Sequence, residues 1–120
     1  TLERIIKIKT PNEAERMGLI QAFEMAFELS WKTLSDYLQA QGFADVMTPK
    51  KAIKQAFQSG FISDGHTWMA ALENRNETVH AYDEARAVII EKRIRNEYFP
   101  AIQQLYRFFQ QQHDEQRADD

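Results

Sequence analysis

The sequence predicts an all-α domain, an antiparallel bundle of four to five helices. Three observations carry that expectation. Apolar residues recur at steps of three and four through most of the chain, the period of one helix face. No stretch alternates apolar and polar residues for long, so no strand is expected. The 4 Gly and 3 Pro stand almost entirely between periodic segments, where they start or stop helices.

The first element, Leu2 to Ile8, reads as a helix halted ahead of Pro11, because the residue before a proline is pushed out of the α region. Asn12 is a candidate N-cap for a long helix running to about Gln41. Its apolar positions, Leu19, Ile20, Phe23, Ala26, Phe27, Trp31, Leu34 and Leu38, form one stripe. We read Phe23, Phe27 and Trp31 as core rather than as a platform for stacking bases. Glu24, Glu28, Lys32 and Asp36 recur at steps of four on the outer face. That spacing reads as a solvated ladder in which Glu28–Lys32 and Lys32–Asp36 each add a few tenths of a kcal/mol. No His stands where it would turn Glu24 and Glu28 into a metal site.

Gly42 supplies a C-terminal stop. Thr48-Pro49 is a strong helix start, with the hydroxyl as cap and the proline in the first turn. The short helix that follows is expected to bury Ala52, Ile53, Ala56 and Phe57 and to end at Gly60. Its Lys50, Lys51 and Lys54 form a small basic patch, read as solubilising surface, with RNA phosphates as the alternative contact. Ser63 or Asp64 can cap the next helix, whose apolar side is Trp68, Met69, Leu72 and Val79. His66, at its start, is read as structural. Asp83 can cap the last helix, with Ala87, Ile90, Ile94, Tyr98, Ala101, Leu105 and Phe108 on one stripe. Pro100 falls inside that stripe and removes the hydrogen bond to the Asn96 carbonyl, so a kink is expected there. Residues 1–112 are expected to form one domain and 113–120 a polar tail. The chain from Gln110 on should fray, leaving His113 solvated.

A chain of 120 residues suits one domain that buries roughly two thirds of its unfolded surface. The apolar share, 43%, is enough to argue against disorder. The absence of Cys excludes disulfides and thiolate metal sites and suits a reducing cytoplasm. No apolar run approaches the roughly 18 residues of a membrane span, and the first residues show no signal-peptide pattern. A cytoplasmic protein with no membrane partner is therefore expected. Net charge is −3, from 15 basic and 18 acidic residues. A binder of long nucleic acid shows a basic excess, so no DNA partner is expected and RNA contact must be local or assembled between chains. The two long helices are each near 28 residues, roughly 40 Å at 1.5 Å per residue. Apolar residues left exposed on helices so long would continue the core into a second copy, so a homodimer is expected.

The chemistry concentrates in Glu73-Asn74-Arg75-Asn76-Glu77-Thr78-Val79-His80-Ala81-Tyr82-Asp83. This run holds an Arg, two amides, a His and a phenol where one helix should end and the next begin. In an unbroken helix Arg75 and His80 would point about 140° apart, since five residues turn about 500°. For both to face one site, the helix must loosen near Thr78–Ala81 or a second chain must supply one group.

Arg75-x4-His80 followed by x-Tyr82, with polar Asn76 directly after the Arg, resembles the motif of HEPN domains of the HepT kind. The run Ile20 to Lys32 resembles the long helix of nucleotidyltransferase substrate-binding proteins, and His80-Ala81-Tyr82-Asp83 resembles their His-x-Tyr-Asp. The resemblance covers roughly residues 12 to 110. It implies a HEPN-like bundle, a homodimer with the Arg/His motifs near its two-fold axis, and a small nucleotidyltransferase as partner. Members similar to HepT are metal-independent ribonuclease toxins silenced when the nucleotidyltransferase antitoxin transfers AMP to the motif Tyr, here Tyr82. The same subunit is otherwise described as a substrate-binding adaptor that cleaves nothing, and a plain dimerisation protein is the third alternative. No cofactor or metal is expected.

These residue types suit RNA cleavage. The 2′-OH that attacks the adjacent phosphate needs a base, and the leaving oxygen needs an acid. An imidazole titrates near neutral pH and serves either role, so two copies of His80 in a dimer can divide them. Arg75 offers phosphate a rigid, permanently charged fork, and Asn76 can orient the phosphate or His80. Catalytic roles thus fall to Arg75, His80 and Asn76, AMP acceptance to Tyr82 and a supporting role to Asp83. Each has a plainer alternative: Arg75 as a surface partner of Glu73 or Glu77, His80 as a cap or core residue, Tyr82 as a half-buried aromatic.

Overall fold

A computed structural model describes residues 1–77 and 83–119 of the chain. Six α-helices and one π-helical turn make up the described part: α1 Leu2–Ile6, α2 Glu13–Ala40, α3 Pro49–Gln58, α4 Gly65–Glu77, α5 Glu84–Arg93, a π turn at Ile94–Tyr98, and α6 Phe99–Asp119. Because α5, the π turn and α6 run on without a break, the described residues form five helical segments, within the four to five expected, and no strand occurs among them.

The caps explain the boundaries. The Asn12 side chain accepts from the Glu15 N–H at 2.7 Å, and the Glu15 carboxylate accepts in turn from the Asn12 N–H, a reciprocal box that starts α2. Gly42 adopts φ +96 after the last turn, and the Phe43 N–H reaches back to the Leu38 carbonyl. That left-handed residue is what a helix stop needs and what a side chain resists. Thr48 caps α3 through the Lys51 N–H, and Asp83 caps α5 through the Ala85 N–H at 3.0 Å. Of the two candidates ahead of α4, Asp64 is the cap; its carboxylate accepts from the Thr67 N–H and hydroxyl and is held below the usual range by those bonds.

Helix α2 is the hub, packing against α1, α3, α4, α5 and α6. Leu19, Ile20, Phe23, Phe27, Leu34 and Leu38 of its stripe are buried, as are Ala52, Ile53, Trp68, Ile90, Ile94, Tyr98 and Leu105 from the surrounding helices. Tyr37, Phe61, Phe108 and Phe109 make a cluster of edge-on and tilted rings near the C-terminal end of α2. Phe57 departs from expectation. It is 51% exposed, with its ring lying against Gly65 beside the core. The segment from Gln110, expected to fray, continues α6 to Asp119, although it stays largely exposed.

Pro100 acts differently from a simple kink. The strain is absorbed one turn earlier, where the Phe99 N–H reaches five residues back to the Ile94 carbonyl. The π turn carries Tyr98 into the core, stacked on Phe23 at 5.4 Å, where its hydroxyl takes a hydrogen bond from the buried Asn74 amide. Burial pushes the Tyr98 phenol up to about 12, so it remains the neutral partner of that amide at any ordinary pH. Tyr98→Phe leaves the Asn74 amide without this acceptor and should cost about 1–3 kcal/mol in chemical denaturation. A loss near zero would show that the amide finds another acceptor.

Two arginines and a glutamate fasten the N-terminal segment to α5. Arg16 Nε and Arg95 Nε each lie 2.8 Å from a different oxygen of Glu91, which is buried. Arg95 also donates to the carbonyls of Ile6 and Ile8. The α1–α2 connection is therefore held by side chains far along the sequence.

Candidate functional site

Helix α4 ends its described course at Glu77, and α5 opens at the Asp83 cap. Thr78, Val79, His80, Ala81 and Tyr82 lie outside the described residues, so the candidates His80 and Tyr82, the apolar position Val79 and the loosening expected near Thr78–Ala81 are not located. Arg75, Asn76 and Asp83 are located. Asp83 is exposed and engaged as a helix cap. Asn76 is exposed, and its side-chain oxygen accepts from Arg75 Nη1 at 3.3 Å.

Neighbouring residues of the last α4 turn face opposite ways. Asn74 turns inward to Tyr98, while Arg75 turns toward α2 and ion-pairs through Nη2 with Glu28. The plainer expectation gave Arg75 a surface partner on its own helix, Glu73 or Glu77. Glu28, the partner found across the helices, is the residue that sequence reasoning missed. Its other oxygen lies 3.3 Å from Lys32 Nζ, the helix-local pair that was expected. Burial pushes the Glu28 carboxyl up, but the Trp31 indole N–H, Arg75 and Lys32 together outweigh it and hold the group below its usual range. The Trp31 nitrogen is buried and has no hydrogen-bond partner of full geometry among the described residues. With two cations on one carboxylate, the cluster Arg75–Glu28–Lys32 carries a net charge of +1 in a chain whose total is −3. The guanidinium and ammonium of such a cluster are donors that an anion can use.

Two apolar grooves lie elsewhere. One, of about 450 Å³, runs between α2 and α6 along Ala26, Leu29, Ser30, Ile102, Leu105 and Tyr106. At 100° per residue, Ala26 and Ser30 lie on the flank of α2 opposite Glu28, and exposed Met25 and Leu29 lie on the outward pole between them. The other, of about 360 Å³, is lined by Lys50, Lys54, Phe57, His66 and Met69 between α3 and α4. Lys51, the remaining member of the basic patch, pairs with Asp45 at 2.7 Å. No group of His, Asp or Glu among the described residues could hold a metal ion, and no described helix is long and apolar enough to cross a membrane.

The family model described as "Nucleotidyltransferase substrate binding protein like" matches residues 1–111. The chain belongs to that family. A curated protein, "Probable ribonuclease HepT" from Haemophilus influenzae, is 34% identical over 83 residues, which cover 61% of this chain and 53% of that protein. The chain thus spans about half the length of the curated relative it matches. A solved crystal structure of a Thermus thermophilus protein shares the fold at a TM-score of 0.81, with 31% identity over 89% of this chain and 92% of the other. The HepT resemblance read from Arg75, His80 and Tyr82 therefore holds at the level of the family, and the family's name implies a nucleotidyltransferase partner.

Proposed function

We propose that this family member is the HEPN-type partner of a minimal nucleotidyltransferase and acts as a metal-independent endoribonuclease. It would be the toxin of a toxin–antitoxin pair silenced by AMP transfer to Tyr82. The observation that carries this reading is the placement of Arg75. Its guanidinium is held in a cluster of net positive charge on the last described turn of α4, directly ahead of the segment that contains His80 and Tyr82. The relative named as a probable ribonuclease adds support.

In the proposed reaction the RNA 2′-OH attacks the adjacent phosphorus and gives its proton to one His80. The bond to the 5′ oxygen breaks, and a second His80, from another copy, protonates that oxygen. The products are a 2′,3′-cyclic phosphate and a 5′-OH end. Arg75 faces the negative charge that builds on the phosphorane, with Asn76 steadying the guanidinium. Met25 and Leu29, 75% and 59% exposed on the outward pole of α2, support a homodimer that would bring two copies of the motif together. The setting proposed is the cytoplasm.

Silencing follows from charge. The Tyr82 oxygen attacks the α-phosphate of ATP on the nucleotidyltransferase, its proton passes to a base there, and pyrophosphate leaves. The new phosphodiester competes with RNA for Arg75 and repels the RNA backbone. Incubation with the partner and ATP should add one AMP per chain, which mass spectrometry of peptides assigns to Tyr82; Tyr82→Phe should abolish it. An unmodified Tyr82, with AMP elsewhere or nowhere, overturns the silencing step. The net charge of −3 favours a second reading, a non-catalytic adaptor that presents substrate to the nucleotidyltransferase. Toxicity on expression that disappears on replacing Arg75 or His80 separates the two.

A further inference from the structure

An Arg on the last turn of a helix has a long side chain whose rotamer freedom must be removed before it can serve as a fixed phosphate contact. We propose that Glu28 is a positioning residue for Arg75, and that Lys32 restores the positive charge that the Glu28 carboxylate removes. This rests on the ribonuclease reading of Arg75.

Three features of the geometry point the same way. The two terminal nitrogens of the guanidinium are held by acceptors from different helices. Nη2 pairs with Glu28 of α2, and Nη1 donates to Asn76 of α4. The hold is tertiary, because Glu28 and Arg75 are 47 residues apart, and Glu28 directly follows the fully buried Phe27 on the hub helix. The carboxylate is also shared. Arg75 takes one oxygen and Lys32 the other, so the cluster keeps one unit of positive charge where an isolated Arg–Glu pair would be neutral. An ordinary surface ion pair would fix the helices without leaving charge for a phosphate. Both side chains of the Arg75–Glu28 pair are 32% exposed, so solvent screening keeps its contribution to stability small. Function and folding can therefore be separated by experiment.

The test uses the full chain and a mixed-sequence single-stranded RNA oligonucleotide, with kcat and KM measured for wild type, E28A, E28Q, R75A and the E28A/R75A double variant. Melting by circular dichroism is followed alongside. E28A should lower kcat by about 10- to 100-fold, the loss expected when a charged group is misplaced by an ångström, with KM and melting little changed. E28Q keeps an oxygen that can accept from Arg75 and should recover part of the loss. The double variant should be no slower than R75A, because Glu28 acts only through Arg75. Unchanged or faster cleavage by E28A, a change confined to KM, or a loss that adds to that of R75A would each overturn the positioning role while leaving the ribonuclease reading intact. Wild-type protein that cleaves nothing overturns the ribonuclease reading instead, and R75A that cleaves at the wild-type rate removes Arg75 from it.

Discussion

His80→Ala should reduce RNA cleavage by about 10²- to 10⁴-fold, the usual worth of a general acid or base, with little change in melting temperature. Arg75→Ala should lose a comparable factor, about 10²- to 10³-fold, because the phosphorane charge then has no guanidinium beside it. The two losses should differ in pH dependence. If one copy of His80 accepts a proton and a second donates one, the wild-type rate is bell-shaped in pH, falling on the acid side as the base protonates and on the alkaline side as the acid loses its proton. Arg75→Ala should lower the bell without removing either limb, since an Arg stays charged across the range. His80→Ala should flatten it. Gel-resolved cleavage of labelled RNA across a pH range of roughly 5 to 9, which brackets the imidazole titration, reads both effects. Full cleavage by His80→Ala excludes the imidazole from the reaction.

The largest effect on stability should come from Glu91. Replacing it by Ala strands Arg16 and Arg95, whose side chains are only 15% and 19% exposed, without their shared counter-charge. Removing one partner of a buried ion cluster costs about 3–5 kcal/mol. For a chain of this length that corresponds to a fall in Tm of roughly 10 °C or more. The pH dependence has a definite sign. Burial pushes the Glu91 carboxyl up, but hydrogen bonds and charge from Arg16 and Arg95 outweigh it, so the folded group titrates below its usual value of 4.5. Its contribution is complete above the unfolded value and is lost as pH falls below 4.5 toward the folded one. Wild type should therefore lose stability on acidification more steeply than Glu91→Gln, which cannot titrate there. Urea unfolding from neutral pH down to roughly pH 3 spans that window. Parallel curves for the two proteins would show that Glu91 carries no such linkage.

Sequence and structure agree most closely where a residue acts on its own neighbours. Asn12, Gly42, Thr48-Pro49, Asp64 and Asp83 set helix ends through bonds to residues a few positions away, and each is found doing so. The apolar stripes of α2 and of the 84–119 run were legible for the same reason, since helical period alone decides which side chains share a face. What escaped was tertiary. Glu28 looked like one rung of a solvated ladder because Lys32 stands four residues on, yet its second partner comes from α4. The Glu91 cluster joins residues 75 apart, which no local pattern reveals. Phe57 fits the buried stripe of α3 by spacing and is displaced from the core beside Gly65. The π turn was foreshadowed by Pro100, whose lost hydrogen bond is visible in the residue type, whereas the way the backbone absorbs that loss is not.

The anchoring of α4 has a practical consequence. On one side of its last turn Asn74 grips Tyr98, on the other Arg75 grips Glu28, and Asp83 independently begins α5. Both borders of the stretch 78–82 are thereby fastened by residues outside it. Libraries that vary positions 78, 79 and 81 and keep His80 and Tyr82 would leave the residues of those fastenings unchanged. Variants drawn from them should share one scaffold, so that changes in their behaviour can be assigned to the substituted positions.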